Sequence, residues 1–277
     1  MKYALHVFAT ANSIRIDELA RIAEERGFES LWVPEHTHIP ASMRTLSPAG
    51  TPVERHYSAC LDPFVGLAAA AMATTKLKIG TGVSLVIQHD PIVLAKEIAT
   101  LDLISNGRFI FGIGAGWNAE EMGNHGTEFK TRRQLLRERI QAMKEIWTKE
   151  KAEFHGKFVN FDPIWSEPKP VQKPYPPILM GGMAPAAMRA AINYCDGWIP
   201  IPGRHPDPLG AIAQFRAQAA AAGRENMPIT LFWAPPDRAK LDQYEKAGVE
   251  RAIFQLGPQT REELMPKIDQ YTRLIGS

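Results

Sequence analysis

Eight short apolar strands that alternate with eight helices are the feature of this sequence that most restricts its fold. Strands are predicted at residues 3–8, 30–33, 77–87, 108–111, 178–180, 197–200, 229–233 and 252–256. Helices are predicted at residues 14–26, 63–75, 91–104, 132–147, 185–194, 206–222, 238–247 and 261–275. Because alternating strands and helices form parallel sheets, and eight such units close a barrel, the pattern predicts a single-domain (β/α)8 TIM barrel over residues 1–277.

Two segments interrupt the alternation. Residues 37–60 follow the second strand and show no periodicity, which predicts an insertion loop of the kind that forms lids. Residues 154–161 are typical of a small hairpin around Gly156, inserted before the fifth strand. The alternative fold is an open, doubly wound sheet. That fold carries a GxGxxG fingerprint after its first strand, and residues 3–8 are not followed by one.

Composition excludes several classes of function. The net charge of +2 provides no field that would favour nucleic acid or an acidic membrane surface. Cys60 and Cys195 lie far apart without CxxC spacing, so neither a disulfide nor a zinc site is predicted. Lys2 is followed directly by a strand-like run rather than by the apolar region of a signal peptide. We therefore expect a cytoplasmic protein without membrane or nucleic-acid partners.

The residue pair after the second strand is the first candidate for chemistry, because active sites of (β/α)8 barrels lie at the carboxyl ends of the strands. Glu35 and His36 occupy this place. An imidazole beside a carboxylate can act as a general acid or base, and the carboxylate can select the tautomer of the ring. We predict Glu35 and His36 as catalytic residues. The alternative is that the two side chains point to opposite sides and His36 only bonds to a loop.

Glycine-rich segments follow three further strands. Glycine lacks a Cβ, so the backbone can approach a flat ligand closely, and free N–H groups at a helix N-terminus bind phosphate. These segments therefore predict a pocket for a flat, phosphate-bearing ring, although glycines that merely ease tight turns are an alternative explanation. The predicted cofactor-binding residues are Gly82 and Val83, then Trp117 and Asn118 in the run GIGAGWN, and Gly181, Gly182 and Met183. No cluster of residues has the spacing of metal ligands, so no metal is predicted.

Four long blocks of the sequence carry a family resemblance. They read SLWVPEHTHIP, LDPFVGLAAAAMATTKLKIGTGVSLV, DPIVLAKEIATLDLISNGRFIFGIGAGWNAEEM and PKPVQKPYPPILMGGMAPAAMRAAINYCDGWIP. In order and register they resemble the bacterial luciferase-like monooxygenase superfamily, and within it the branch of coenzyme F420-dependent oxidoreductases. The resemblance implies a (β/α)8 barrel with an insertion segment, commonly a homodimer. It also implies FMN or the deazaflavin F420 bound at the carboxyl face of the barrel.

The resemblance also implies roles for individual residues. Glu35 and His36 match an acidic–His pair in which the His lies by the reactive ring edge, although deazaflavin enzymes usually have Asp at the first position. Gly82–Val83 matches a non-prolyl cis peptide that supports the ring. Asn118 matches a polar residue near the cofactor, and Trp117 packs in the same loop.

The resemblance assigns the phosphate of the cofactor to Gly181 and Gly182. Many relatives follow these glycines with Asn, Ser or Thr, whereas this chain has Met183 and Ala184. Without a side-chain hydroxyl or amide, backbone N–H groups must bind the phosphate, or the phosphate lies elsewhere.

The function implied by the resemblance is hydride transfer between F420 and a small organic substrate, with His36 as proton donor or acceptor. Two alternatives remain, an FMN-dependent two-component monooxygenase that uses O2 and a non-catalytic flavin-binding protein. A flavin or F420 reductase is the expected protein partner. Arg44 and Arg55 in the insertion loop are candidates for binding an anionic substrate or the cofactor tail, unless solvent surrounds them. Glu120 and Glu121 are expected to lie far from Glu35.

Overall fold

Parallel strands form the centre of the computed structural model, which describes residues 1–47 and 50–276. The strands are β1 (Lys2–Val7), β2 (Ser30–Val33), β3 (Lys78–Thr81), β4 (Phe109–Ile113), β5 (Ala152–His155), β6 (Asn160–Ile164), β7 (Ile178–Gly181), β8 (Gly197–Ile199), β9 (Thr230–Phe232) and β10 (Arg251–Leu256). Eight of them form one sheet in the order β8-β7-β4-β3-β2-β1-β10-β9. A bridge between Trp198 and Ile229 closes the ring, which confirms the predicted (β/α)8 barrel.

Helices surround the barrel, and most of them begin where the sequence predicts. They are α1 (Ile16–Glu25), α2 (Pro63–Met72), α3 (Pro91–Ile104), α4 (Ala119–Asn124), α5 (Arg132–Thr148), α6 (Pro185–Tyr194), α7 (Pro208–Ala221), α8 (Arg238–Lys246) and α9 (Arg261–Ile275). The side chains of Asp62 and Asp90 cap α2 and α3, each followed by Pro at the first helical position. Helix α4 was not predicted, because six residues are too few to show a helical period. Among the described residues, no helix combines the length and apolar character needed to cross a membrane.

Both predicted insertions are present, but one predicted strand is shorter than expected. β5 and β6 pair antiparallel as a separate hairpin before β7. The strand predicted at residues 77–87 ends at Thr81. Ser84 still bridges Ile113 of β4, and the chain then forms a short 3-10 turn at Val86–Gln88. The reason is tertiary, because a buried carboxylate binds the Ser84 hydroxyl and the Leu85 N–H and holds this segment away from a regular strand.

Large side chains that point inward fill the barrel. This inner cluster comprises Ala4, Trp32, Ile110, Leu179, Ile199, Phe232 and Ile253. Trp32 is fully buried and lies against Gly80, where an added Cβ would come within 2.7 Å of the indole ring. Gly80 is therefore required for Trp32 to fit. The burial of a large apolar side chain such as Trp32 contributes about 1.5–3 kcal/mol to stability.

Gly80→Ala is expected to lower the free energy of unfolding by about 1–3 kcal/mol, because the added methyl group overpacks the barrel interior. Gly66→Ala is the matched control. Gly66 lies inside α2 with no atom within 4 Å of an added Cβ, so this change should stabilise the protein by about 0.5–1 kcal/mol. Urea unfolding of both variants measures the difference, and equal effects of the two changes would contradict the packing explanation.

Candidate functional site

The carboxyl ends of the strands open into a cavity of about 900 Å³. Segments that follow β1, β2, β3, β4, β7, β8 and β9 line it, which is the face where barrels of this type place their sites. The sequence-predicted residues that line the cavity are Glu35, His36, Gly82, Val83, Trp117, Gly181, Gly182 and Met183. Asn118 is absent from the cavity lining.

Three neighbouring strands, β3, β4 and β7, form a wall of the cavity that is poor in side chains. The peptide bond between Gly82 and Val83 is cis. A Cβ added to Gly114 or Gly181 would lie 2.7 or 2.8 Å from a methyl group of Val83. These two glycines therefore leave room for Val83, which lines the cavity between them. We call this surface, made by Gly82–Val83, Gly114–Trp117 and Gly181–Ala184, the glycine wall.

The turn before α6 differs from the predicted phosphate site in its detail. Gly182 has φ +118, a backbone conformation that favours glycine, and its N–H donates to the carbonyl of Ile199 at 3.1 Å. Within the part of the chain that the structure describes, the N–H groups of Met183 and Ala184 have no acceptor. Any phosphate at this turn would therefore bind the N–H groups of Met183 and Ala184 rather than that of Gly182.

His36 lines the cavity and pairs with Glu121. Its Nδ1 is 2.9 Å from Oε2 of Glu121, and the two side chains are 7% and 1% exposed. The rings of Tyr57 and Trp117 pack edge-on against the imidazole, with centroids 5.2 and 5.7 Å away. Because the carboxylate accepts from Nδ1, the neutral ring has its lone pair on Nε2. The pair is therefore arranged so that Nε2 can take up and release a proton.

Glu35 does not orient His36, and this part of the prediction is wrong. Its carboxylate accepts from the Ser84 hydroxyl at 2.7 Å and the Leu85 N–H at 2.5 Å, and it pairs with Nε2 of His89 at 2.5 Å. Although burial acts to raise it, the bonds from His89 and the two other donors hold the pKa of Glu35 below its ordinary value. Glu35 therefore fixes the chain just after Val83, and Glu121 rather than Glu35 is the carboxylate that pairs with His36.

Asn118 contributes to the site through α4. Its side-chain oxygen accepts from the N–H of Glu121 at 3.1 Å and so caps the helix. This bond fixes the turn that presents Glu121 to His36. Glu121 was expected to lie far from Glu35, and the sequence offers no local signal that pairs it with His36, 85 positions away.

The insertion loop after β2 lies against α4. The carboxylate of Glu120 accepts from the N–H groups of Arg44 and Thr45 and from the Thr45 hydroxyl, and these bonds lower the pKa of Glu120 to about 2. Tyr57 from the same loop lines the cavity, whereas the exposed Arg44 and Arg55 do not. The predicted roles of these two arginines therefore have no support in the geometry. Pro48 and Ala49 of the loop lie outside the described residues.

Arginines that the sequence reasoning missed line the cavity instead. Arg133 and Arg137 belong to α5, Arg189 to α6, and Arg204 follows β8. None of the four guanidinium groups has a carboxylate partner or a hydrogen bond among the described residues. Arg133 and Arg137 are four residues apart on the polar face of α5, but only the packing of α5 beside α6 brings them to the cavity.

Residues 8–236 match the profile of the family described as luciferase-like monooxygenase. The chain belongs to this family. An uncharacterized protein of Mycobacterium tuberculosis is 40% identical over 260 residues, which cover 92% of this chain and 91% of that protein. The FMNH2-dependent dimethylsulfone monooxygenase of Pseudomonas putida is 32% identical over 210 residues, 74% of this chain and 53% of that enzyme. The F420-dependent glucose-6-phosphate dehydrogenase of Nakamurella multipartita is 27% identical over 266 residues, 84% of this chain and 71% of that enzyme.

Solved structures of similar proteins share the fold of this luciferase-like chain. Monooxygenase RslO1 from Streptomyces bottropensis superposes with a TM-score of 0.82 at 22% identity, covering 99% of this chain and 98% of that one. An F420-dependent secondary alcohol dehydrogenase superposes with a TM-score of 0.77 at 19% identity, with the same coverage. The family thus contains both F420-dependent oxidoreductases and FMN-dependent monooxygenases, which supports an oxidoreductase role in the broad sense.

Proposed function

We propose that this protein is an F420-dependent oxidoreductase that acts on a small organic substrate by hydride transfer. The observation that carries the proposal is the His36–Glu121 pair, whose imidazole lines the same large cavity as the glycine wall. When bound, the deazaflavin supplies the donor or acceptor of the hydride, and the protein supplies orientation, exclusion of water and the accompanying proton.

The shape of the cavity suits a flat ring. Its volume of about 900 Å³ lies within the range of sites for small molecules and cofactors. The glycine wall has few side chains, and Val83 is the one that fills the space beside Gly114 and Gly181. A planar ring stacked on this wall would contact the backbone and the methyl groups of Val83.

The charges at the outer part of the cavity favour F420 over FMN. FMN ends in one phosphate, whereas F420 continues beyond its phosphate into a chain of glutamates with several carboxylates. Arg133, Arg137 and Arg189 lie on the two helices next to the turn at Met183 and Ala184 and lack carboxylate partners among the described residues. Arginines of this kind bind carboxylates well, so their number fits the longer polyanion.

His36 would hold the proton that accompanies the hydride. The carboxylate of Glu121 stabilises the imidazolium form when Nε2 takes up a proton, since Nδ1–H already points at it. Tyr57 and Trp117 pack around the ring and exclude water from it. A non-catalytic flavin-binding protein does not need such a pair, so the pair favours a catalytic role over this alternative.

Equilibrium binding of oxidised F420 and of FMN to the purified protein tests the choice of cofactor. We expect F420 to bind at least about tenfold more tightly than FMN, because the extra carboxylates make charge-assisted hydrogen bonds. Fluorescence of the two ligands reports the affinities. Preference for FMN, together with O2 consumption in the presence of reduced FMN, would instead support the two-component monooxygenase that the similarity to the Pseudomonas putida enzyme favours.

Arg137→Gln is expected to weaken F420 binding by about threefold to tenfold, through loss of one charged contact to the tail. Binding of the deazaflavin fragment that lacks the phosphate and the glutamates should change less than about twofold. Arg261→Gln is the matched control, because Arg261 is paired with Glu18 away from the cavity. Equal losses for F420 and for the fragment would show that Arg137 does not bind the tail.

The family resemblance adds two proposals about partners and state. We propose that the protein is a cytoplasmic homodimer and that a flavin or F420 reductase regenerates its cofactor. Size-exclusion chromatography with light scattering tests the dimer.

A further inference from the structure

One side of the cavity, in contact with the glycine wall at Phe232 and Tyr57, is aromatic and contains an arginine. It is made by Phe8 after β1, Tyr57 from the insertion loop, Phe232 and Trp233 at the end of β9, and Arg204 after β8. The rings of Phe8 and Tyr57 are 4.9 Å apart, and those of Phe232 and Trp233 are 5.3 Å apart. We call this surface the aromatic wall.

Arg204 is positioned on Trp233. Its guanidinium carbon lies 5.1 Å from the centre of the indole ring, within the range of a cation–π contact. Trp233 itself is fixed, because its Nε1–H donates to Nδ1 of the buried His6 at 3.3 Å. Its backbone has φ +57, which is uncommon for a bulky residue and is found mostly where the surrounding structure enforces it. The Arg204–Trp233 pair is thus a preformed surface.

No carboxylate among the residues that the structure describes balances the charge of Arg204. Within the described residues, its guanidinium makes neither an ion pair nor a hydrogen bond. Packing around it lowers the pKa of Arg204, and the interaction that acts in the other direction comes from Tyr57 rather than from a carboxylate. By contrast, Arg251 is held by Glu29, and Arg238 by Asp242. An unpaired guanidinium beside apolar rings is suited to a ligand that brings its own negative charge.

Tyr57 connects this cation with the candidate catalytic residue. Its ring lies 5.2 Å from the ring of His36, and Tyr57 lines the same cavity as Arg204. A ligand held by Arg204 and lying along Tyr57 would therefore extend toward His36. The aromatic side chains that line the cavity beside such a ligand favour a flat, apolar body.

We propose that Arg204 and Trp233 form the subsite for an anionic group of the substrate, and that the substrate is a planar, apolar molecule that carries one carboxylate. This assignment rests on the proposed function in so far as the cofactor is taken to occupy the glycine wall. A cofactor on the glycine wall leaves the aromatic wall for the substrate. The substrate carboxylate then lies at Arg204 and the reacting atoms lie near His36.

Binding of 2-naphthoate and of its neutral analogue 2-naphthamide tests the subsite. Isothermal titration calorimetry is carried out on the wild-type protein, with and without bound F420. We expect the carboxylate to bind about tenfold more tightly than the amide, because a charge-assisted hydrogen bond to arginine replaces a neutral one. Equal affinities for the two probes would overturn the proposal.

Arg204→Gln is the decisive variant, and Arg44→Gln is its matched control. Both changes remove one positive charge, and Arg44 is an exposed arginine that does not line the cavity. Arg204→Gln should abolish the preference for the carboxylate, whereas Arg44→Gln should keep it. A preference that persists in Arg204→Gln would assign the anion to another residue and overturn the subsite.

The same samples separate this proposal from that for the cofactor. Arg204→Gln should bind F420 within about twofold of wild type, since Arg204 lies outside the glycine wall. If F420 fails to bind wild type while the Arg204-dependent preference for naphthoate is present, the cofactor proposal fails and the subsite stands. If F420 binds as expected and the two naphthalene probes bind equally, the subsite fails and the cofactor proposal stands.

Discussion

Replacing His36 with alanine is expected to lower kcat by about 10²–10⁴-fold, the range typical for loss of a general acid or base. The affinity for F420 should change by less than about threefold, because the glycine wall and the arginines of α5 and α6 remain intact. Stopped-flow measurement of F420 oxidation or reduction, with a substrate that the wild-type enzyme converts, gives kcat. Fluorescence titration gives the affinity for F420.

Two further variants distinguish a chemical role of His36 from a structural one. Glu121→Gln keeps the size of the partner but removes its charge, so it should lower kcat by about tenfold or more and change the pH profile of kcat. His38→Ala is the matched control, because His38 contacts Thr37 and Asn124 outside the cavity. Equal losses of turnover and of F420 affinity in His36→Ala, or no loss at all, would remove His36 from the chemistry.

Glu35→Ala is expected to be the most destabilising single substitution in the site, lowering the free energy of unfolding by about 3–5 kcal/mol. The carboxylate is 1% exposed and pairs with His89. Its removal leaves the imidazolium of His89, the Ser84 hydroxyl and the Leu85 N–H without their acceptor. Urea unfolding of Glu35→Ala and of the control Glu54→Ala, whose side chain is 77% exposed, measures the difference.

The ion pair between Glu35 and His89 also predicts how stability depends on pH. The pKa of Glu35 is lowered from 4.5. Its contribution to the stability of the fold is therefore present above pH 4.5 and is lost as the pH falls through the pKa of Glu35 in the folded protein. Burial acts to lower the pKa of His89, but Glu35, Glu97 and Asp62 together raise it from 6.5. The contribution of His89 to the stability of the fold is complete below pH 6.5. It is lost as the pH rises through the pKa of His89 in the folded protein.

The pair therefore stabilises the fold most between about pH 4.5 and 6.5. Urea unfolding between pH 5 and 9 should show a loss of stability on the alkaline side in wild type. His89→Gln should remove this alkaline loss. A pH dependence that is identical in wild type and His89→Gln would contradict the assignment.

Patterns that act over short distances along the chain determined the fold. The periodicities of the apolar residues, the prolines at the first turns of α2, α3 and α6, and the glycines after the strands act within a few residues of one another, so they can be recognised in the sequence. They placed eight strands in the barrel and identified His36, Trp117 and the residues of the glycine wall as strand-end positions. The same local rules overextended the strand after residue 77, because the bonds from Ser84 and Leu85 to Glu35 span about 50 positions.

Tertiary structure alone decided which side chains meet. Closing the barrel brings Glu121 to His36 across 85 positions and carries Glu35 away to His89. Sequence adjacency suggested that Glu35 pairs with His36. The two side chains do not pair, because neighbouring residues at a strand end face different sides of the backbone. The tertiary structure also identified the unpaired arginines of the cavity. A charged residue on a helix can be assigned to a site only when the packing of the helices shows what it faces.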